Sequence, residues 1–329
     1  MTLKRKLKQA IRPTALRWIK RLDSSPVRHA RLLAERVRTE PPFDVLYMGA
    51  SESLFTSPDD VDPRPLPAMV ADELAPELST YAVAGAAHNP RLYKIYLDIV
   101  AESPVRPLVI LGMAIRLGVT AWSEHPEYSH DRPIHALEKI PSKRPPWRFR
   151  AYVPLATDAE FAAHDKRTYP TMDGTRTIGD FRLALKDPVA HGLTEEQRLR
   201  LLYSFHHGST DALSPKFLDS VTAIGARLRE LGLPAVVYQM PVPIVRATDV
   251  MGQEIYDRTV ANLKVMDDAF IAGYGPIDIV QTGVLLKPGD YIDPDDGTEH
   301  VNEHGRRQMT DLIVAAVHKA RLSDTEKAG

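Results

Sequence analysis

Phe43-Asp-Val-Leu-Tyr-Met-Gly-Ala-Ser-Glu-Ser53 sets a mostly apolar run of strand length against an abrupt, polar Gly-Ala-Ser-Glu-Ser turn. Such a run reads as a buried strand, and the serine just beyond it stands at the carboxyl edge of whatever sheet the strand joins. Similar short apolar runs follow at 80–83, 107–111, 235–240 and 277–281. Segments with helical spacing lie at 68–74, 89–101, 194–205, 211–231, 252–271 and 301–319. Strands alternating with helices predict an α/β fold, a three-layer α/β/α sandwich with a mostly parallel central sheet. Ligands of such sheets bind beyond the carboxyl ends of the strands, so Ser51 falls where chemistry is expected.

With 329 residues and 43% apolar side chains, the chain can build one large domain with a sizeable core. It has no cysteine, which excludes disulfides, thiolate metal sites and a cysteine nucleophile. No apolar run approaches the roughly 20 residues that span a bilayer, and no signal-peptide core opens the chain, so a cytoplasmic protein is expected. The net charge of −1 is unevenly spread: residues 1–38 carry twelve Lys/Arg against Asp23 and Glu35, a net of +10, leaving the rest at −11. An acidic body makes nucleic acid a poor specific partner. Residues 1–42 read as a basic amphipathic arm, with Leu3, Leu7, Ile11, Ala15, Trp18 and Leu22 at helical spacing and Pro13 and Pro26 as interruptions. Such an arm can lie on an anionic membrane at its inner face, or pack on the acidic body or on a second copy. The domain proper spans 43–329. Within it, residues 113–190 are rich in proline and scattered aromatics, as in Pro145-Pro-Trp147 and Thr171-Met-Asp-Gly174, and read as a cap-like insertion with too little periodicity for its own core.

Late in the chain comes Asp296-Gly-Thr-Glu-His-Val-Asn302. A serine at a strand's end with a distant Asp/His pair folding back onto it is the arrangement that converts a weak alcohol into a nucleophile. The acid and histidine adjoin each other near the C-terminus, unlike the α/β-hydrolase order, and position 53 is serine where the second elbow glycine of that fold stands. In these features the chain resembles the SGNH (GDSL-type) esterases and acyltransferases, over about 43–112 and 277–315. Gly49-Ala-Ser51 is similar to their first motif, with Ala50 in place of Asp. The resemblance implies an SGNH-like, flavodoxin-like sheet and a triad of Ser51, His300 and Asp296, with Asp296 four residues before His300 where the family spaces them by three. Asp293 and Asp295 are neighbouring substitutes, and His304 is a second base. It also implies oxyanion donors at Ser51, Gly85 and Gly112, whereas Ala114 stands where the family carries an oxyanion asparagine. Asn89, Arg116 or a cap residue can take that place. Glu52 and Ser53 read as local capping groups.

The expected activity is therefore a serine esterase acting through an acyl-enzyme on an O-acyl ester. Its alternatives are an O-acyltransferase modifying a glycan or small-molecule hydroxyl, and an inactive binding protein. Asn89, Arg116 and Trp122 are the candidate substrate-binding residues, Arg116 for an anionic group and Trp122 for stacking on a sugar or acyl chain. No cofactor is implied. The six carboxylates between 290 and 303, even with His300 and His304, lack zinc-peptidase and EF-hand spacing, and His206-His207 has no evident third ligand, so no metal is expected.

Overall fold

Four of the five expected strands pair into one parallel sheet. The computed structural model describes residues 25–38, 42–126, 128–138, 158–172, 174–186, 192–207 and 213–328. The arm's stripe at Leu3, Leu7, Ile11, Ala15, Trp18 and Leu22 and the Pro145-Pro-Trp147 stretch lie outside these residues. In chain order the elements are α1 (Ser25–Arg36), β1 (Val45–Gly49), α2 (Leu66–Leu74), β2 (Thr80–Ala84), α3 (Pro90–Ala101) and β3 (Leu108–Met113). The insertion contributes α4 (Thr120–Glu124), α5 (Asp131–Glu138), α6 (Asp158–Lys166), β4 (Thr168–Thr171), β5 (Gly174–Thr177) and α7 (Ile178–Lys186). There follow α8 (Glu195–His206), α9 (Pro215–Glu230), β6 (Ala235–Gln239), α10 (Ile244–Met251), α11 (Gln253–Tyr274) and α12 (Glu303–Ala328).

The sheet order is β2-β1-β3-β6. Every residue of β1, β3 and β6 is buried, as expected of strands with helices above and below. The helices fall into two packed groups, α2 with α12, and α1, α3, α9, α10 and α11 in a chain of mutual contacts. The chain passes from β1 to β2 on one side and then returns to place β3 on the other side of β1, so the strand order reverses between β1 and β3. A crevice opens at such a reversal, outside the carboxyl ends of the two strands.

The fifth expected strand, 277–281, is reduced to one parallel bridge between Val280 and Tyr238. Val280 N donates to Val237 O (2.8 Å) and Gln239 N to Val280 O (3.1 Å), after which the Gln239 side chain takes over, its Oε1 accepting from Gly283 N at 3.2 Å. Side-chain bonding thus interrupts the ladder, and one further backbone bond, Val242 N to Gly283 O (2.7 Å), follows it. Helix starts follow local chemistry. Asn89 Oδ1 accepts from Leu92 N ahead of Pro90, and Thr194 with Gln197 makes a reciprocal capping box ahead of α8. The turn Gly273-Tyr-Gly-Pro276 stops α11 at Gly275, whose φ of +107° favours glycine. Gly273 acts through space instead, because a Cβ there would lie 2.1 Å from Thr222 O, and its absence lets α9 and α11 approach closely.

The insertion contains more regular structure than its composition promises. Thr168–Thr171 and Gly174–Thr177 form an antiparallel hairpin, and Trp122, Tyr169, Ile178 and Phe181 join Leu201, Leu202 and Phe205 of α8 in a second apolar cluster. The insertion makes a core by borrowing one face of α8. The second half of the arm is α1, whose Ala30 and Leu33 are buried and which packs on α3.

The loop after β1 is tied to the start of α12 by charge. Arg306, fully buried, pairs with Asp60 (2.9 Å) and donates to Val301 O (3.1 Å) and Asp62 O (2.7 Å). Glu303 N donates to Asp60 Oδ1 and Glu303 Oε2 accepts from Asp62 N. Burial pushes the Asp60 carboxyl up, but the Glu303 and Ser57 amides and Arg306 more than offset it and hold its pKa below the ordinary value. Removing one member of a buried pair strands the other's charge, so Arg306→Met should lower unfolding free energy by about 3–5 kcal/mol in urea denaturation, with Arg307→Met, exposed on the same helix, changing it by less than about 1 kcal/mol.

Candidate active site

Ser51 begins a 3-10 turn, Ser51–Ser53, directly beyond β1, and Arg116 lies in a second one, Ile115–Gly118, directly beyond β3. These two turns flank the crevice where the strand order reverses. Ser51 is 7% exposed, and its carbonyl accepts from Leu54 N (2.9 Å) and Phe55 N (3.2 Å), which closes the turn. His300 arrives from the other end of the sequence, its imidazole stacked on Phe55 with centroids 4.1 Å apart. The segment after β1 and the late histidine therefore adjoin through Phe55. His300 Nε2 is buried without a hydrogen-bond partner, so no Ser51 to Nε2 bond is present in this conformation.

Burial, and secondarily the Arg116 guanidinium, lowers the His300 pKa to about 4, so the imidazole is neutral over the physiological range. The loop carrying it is held from behind by α8. His206 Nδ1 and His207 Nε2 lie 2.6 and 2.8 Å from the same acceptor, Gly297 O. A carbonyl only accepts, so both nitrogens carry protons, which fixes both tautomers. Burial drives the pKa of His206 well below its ordinary value and that of His207 to about 3.

The other expected acids have separate uses. Asp293 caps the 3-10 turn Pro294–Asp296 by accepting from Asp295 N (2.9 Å), and Asp295 pairs with Arg246 (2.5 Å). Asp296 occupies the third position of that turn, and its side chain lies outside what the structure describes. His304 pairs with Asp290 at 2.5 Å on the solvent side of α12, its side chain 73% exposed. Arg116 meets the buried Glu299 at 2.9 Å and lies over Trp122, 5.6 Å from its ring. Neither Glu299 oxygen has a well-angled hydrogen bond, so this is a charge contact rather than a bonded fork, and burial raises the Glu299 pKa despite Arg116. Trp122 is buried with Nε1 donating to Phe205 O (2.7 Å). Asn89 caps α3, and its Nδ2 donates to Ser129 O (3.1 Å).

The expected oxyanion glycines sit as follows. Gly85 N donates to Gly49 O at 3.3 Å, and a Cβ on Gly85 would lie 2.4 Å from His88 Nε2. Gly112 lies inside β3 rather than after it, and a Cβ there would come within 2.4 Å of the Tyr238 hydroxyl. Gly49 has the same relation to Ser53, whose Oγ a Cβ would approach to 2.1 Å. Both strand glycines thus make room for a buried polar network beneath the Ser51 turn. Glu52 Oε1 accepts from Ser53 Oγ (2.5 Å), Tyr238 OH (3.2 Å) and Ala50 N (3.2 Å), and Tyr47 OH adjoins Tyr238 OH (2.6 Å) and Ser53 Oγ (3.1 Å). Reading Glu52 and Ser53 as local caps missed this, because Tyr238 is 186 residues away from Glu52. Among the described residues, no group of three or more His, Asp or Glu side chains is placed to hold a metal ion.

The neutral histidines set the sign of an acid effect. An unfolded histidine takes up a proton near pH 6.5, whereas folded His300 and His207 wait until about 4 and about 3, so their contribution to stability is lost as pH falls below about 6.5. Glu52, raised to about 7, acts in the opposite sense, losing stability as pH rises above its unfolded value. The test is therefore a difference: His207→Gln, which can still donate to Gly297 O, should show a smaller fall in Tm between pH 6.5 and 4 than the wild type. An equal fall would mean that His207 protonates freely in the folded state. No family model matches this chain, and no curated protein matches it closely enough to count as a relative.

Proposed function

We propose that the chain is a serine hydrolase of the SGNH type, an esterase that cleaves O-acyl esters through an acyl-enzyme on Ser51. One observation carries the reading: the loop bearing His300 packs its imidazole against Phe55, in the turn that presents Ser51 at the reversal of strand order. Ser51 Oγ attacks the acyl carbonyl and its proton passes to neutral His300, which then protonates the departing alkoxide. Water repeats the sequence in reverse, giving the acid and free Ser51. The Ser51 N–H, first in its 3-10 turn, has no partner within that turn and is the first oxyanion donor. Asp296 is the carboxylate that orients His300. Leu54 and Phe55, 44% and 48% exposed beside Ser51, offer apolar surface to the acyl group. Among the described residues no helix is long and apolar enough to cross a membrane.

A fluorophosphonate should label Ser51, located by peptide mapping. Ser51→Ala should lower ester turnover by about a thousandfold or more. Ser53→Ala should keep most of the activity while costing about 1–3 kcal/mol of stability, since it removes one buried hydrogen bond each from Glu52 and Tyr47. Labelling at another serine sinks the assignment. A folded chain with neither labelling nor turnover is a binding protein. Acyl transfer to a sugar hydroxyl in place of water would identify the transferase form of the same chemistry.

A further inference from the structure

The network beneath Ser51 has an asymmetry that bears on how the nucleophile is held. The three well-aligned hydrogen bonds to Glu52, from Ala50 N, Ser53 Oγ and Tyr238 OH, converge on Oε1, the residue's own amide also lies near its carboxyl, and Oε2 is buried without a hydrogen bond of good geometry. A carboxylate spreads its charge over both oxygens, so a bare buried Oε2 would carry unsolvated negative charge, whereas a carboxylic acid with its carbonyl at Oε1 leaves only a neutral hydroxyl unpaired. Tyr238 and Ser53 direct their protons to Oε1, so the Tyr47 hydroxyl donates to one of them, and the polar group left over in the network is the neutral Oε2 hydroxyl of Glu52. Its members come from β1, the Ser51 turn and β6, and Gly49 and Gly112 are the two positions whose missing side chains admit it.

We propose that Glu52, in its neutral form, is the positioning residue of the Ser51 turn, pinning it to β6 through Tyr238, and that ionisation of Glu52 switches the site off. This rests on the hydrolase reading above. An ionised Glu52 sets a full negative charge on the residue next to Ser51, whose attack makes the substrate carbonyl oxygen an anion, and at 1% exposure that charge is little screened. The groups facing Glu52 are Tyr47 from β1, Ser53 on its own turn, Tyr238 from β6, Tyr93 from α3, and Glu299 with its counter-ion Arg116 from the His300 side. Burial first, and the Glu299 charge among the smaller causes, raises the Glu52 pKa to about 7, while Ser53 and the Ala50 amide pull it down. None of the facing groups is a cation in contact with Glu52, and Arg116 is engaged by Glu299.

The test compares the full-length wild type, Glu52→Gln and Glu52→Ala. It uses a p-nitrophenyl acyl ester from pH 5.5 to 8.5, fluorophosphonate labelling of Ser51, and infrared absorption of protonated carboxyl groups. A site active only with a neutral Glu52 should lose about thirtyfold in kcat/KM from pH 5.5 to 8.5, with its midpoint near 7. Gln keeps the acceptor and cannot ionise, so Glu52→Gln should show reduced but pH-flat activity. Ala removes the acceptor from three buried donors and should be poorly active at every pH or unfold. At pH 5.5 the wild type should show a protonated-carboxyl band that Glu52→Gln lacks, a readout that requires no turnover. A wild-type rate that does not fall across this range, the same fall in Glu52→Gln, or identical infrared spectra overturns the Glu52 inference while labelled Ser51 leaves the hydrolase standing. Absence of labelling at Ser51 overturns both.

Discussion

The buried Arg306 to Asp60 contact, 2.9 Å long, is the constraint on which the arrangement at the sheet edge depends. It joins the loop that follows the Ser51 turn to the first turn of the last helix, 246 residues later, and the His300 segment enters that helix just before Arg306. A guanidinium with no exposure must be compensated by its partners, and here these are one carboxylate and two backbone carbonyls. Together with the packing of α12 on α2, this ionic contact fixes the loop after the Ser51 turn to the start of the last helix, next to the His300 segment.

A second buried polar system lies under the first turn. Glu52, Ser53, Tyr47 and Tyr238 place four polar side chains among fully buried strands, where the hydrogen bonds among them offset the cost of burial and Glu52 Oε2 is the atom left without one. The cost appears in the sequence as glycine. Gly49 and Gly112 sit inside strands, where glycine is otherwise unfavourable, because the Ser53 and Tyr238 hydroxyls occupy the space of their missing side chains. The resemblance to a serine-hydrolase family places weight on these same glycines, but for turns and oxyanion donors. Here the close approach of a hydroxyl gives Gly49 and Gly112 their local reason.

Electrostatically the crevice is a region of neutral histidines around one paired cation. Arg116 contributes to lowering the pKa of His300, His206 and His207, after burial, which is the larger cause for each. Its own charge is balanced by Glu299 at 2.9 Å and spread over the face of Trp122. Two histidine donors on the Gly297 carbonyl give the His300 loop a rigid backing without adding charge. His300 itself stands against Phe55, with its Nε2 unpartnered.

The alternation of apolar runs with helical segments was enough to read the α/β class and four of the parallel strands, because strand burial on both faces writes itself as a continuous apolar run. The helix stop at Gly273-Tyr-Gly-Pro276 was equally legible, since it is set within one turn of chain, whereas Asn89, expected at the substrate or the oxyanion, is the cap of α3. The 277–281 run was read as a strand and forms a single bridge, because the Gln239 side chain competes for the backbone partners, which periodicity does not encode. The hairpin at 168–177 carried a readable Asp-Gly turn signal, but its apolar partners are on α8, outside the window in which its pattern could register. Ser51 and His300 could be picked out by position relative to the first strand and last helix. That Glu52 would be buried against Tyr238, that Asp295 would serve Arg246, and that Arg306 would knot the two loops depended on partners from 49 to 246 residues away. Local sequence specifies elements because their hydrogen bonds are local; the protonation, pairing and orientation of the site are properties of distant groups brought into one dry crevice, and only the tertiary structure decides them.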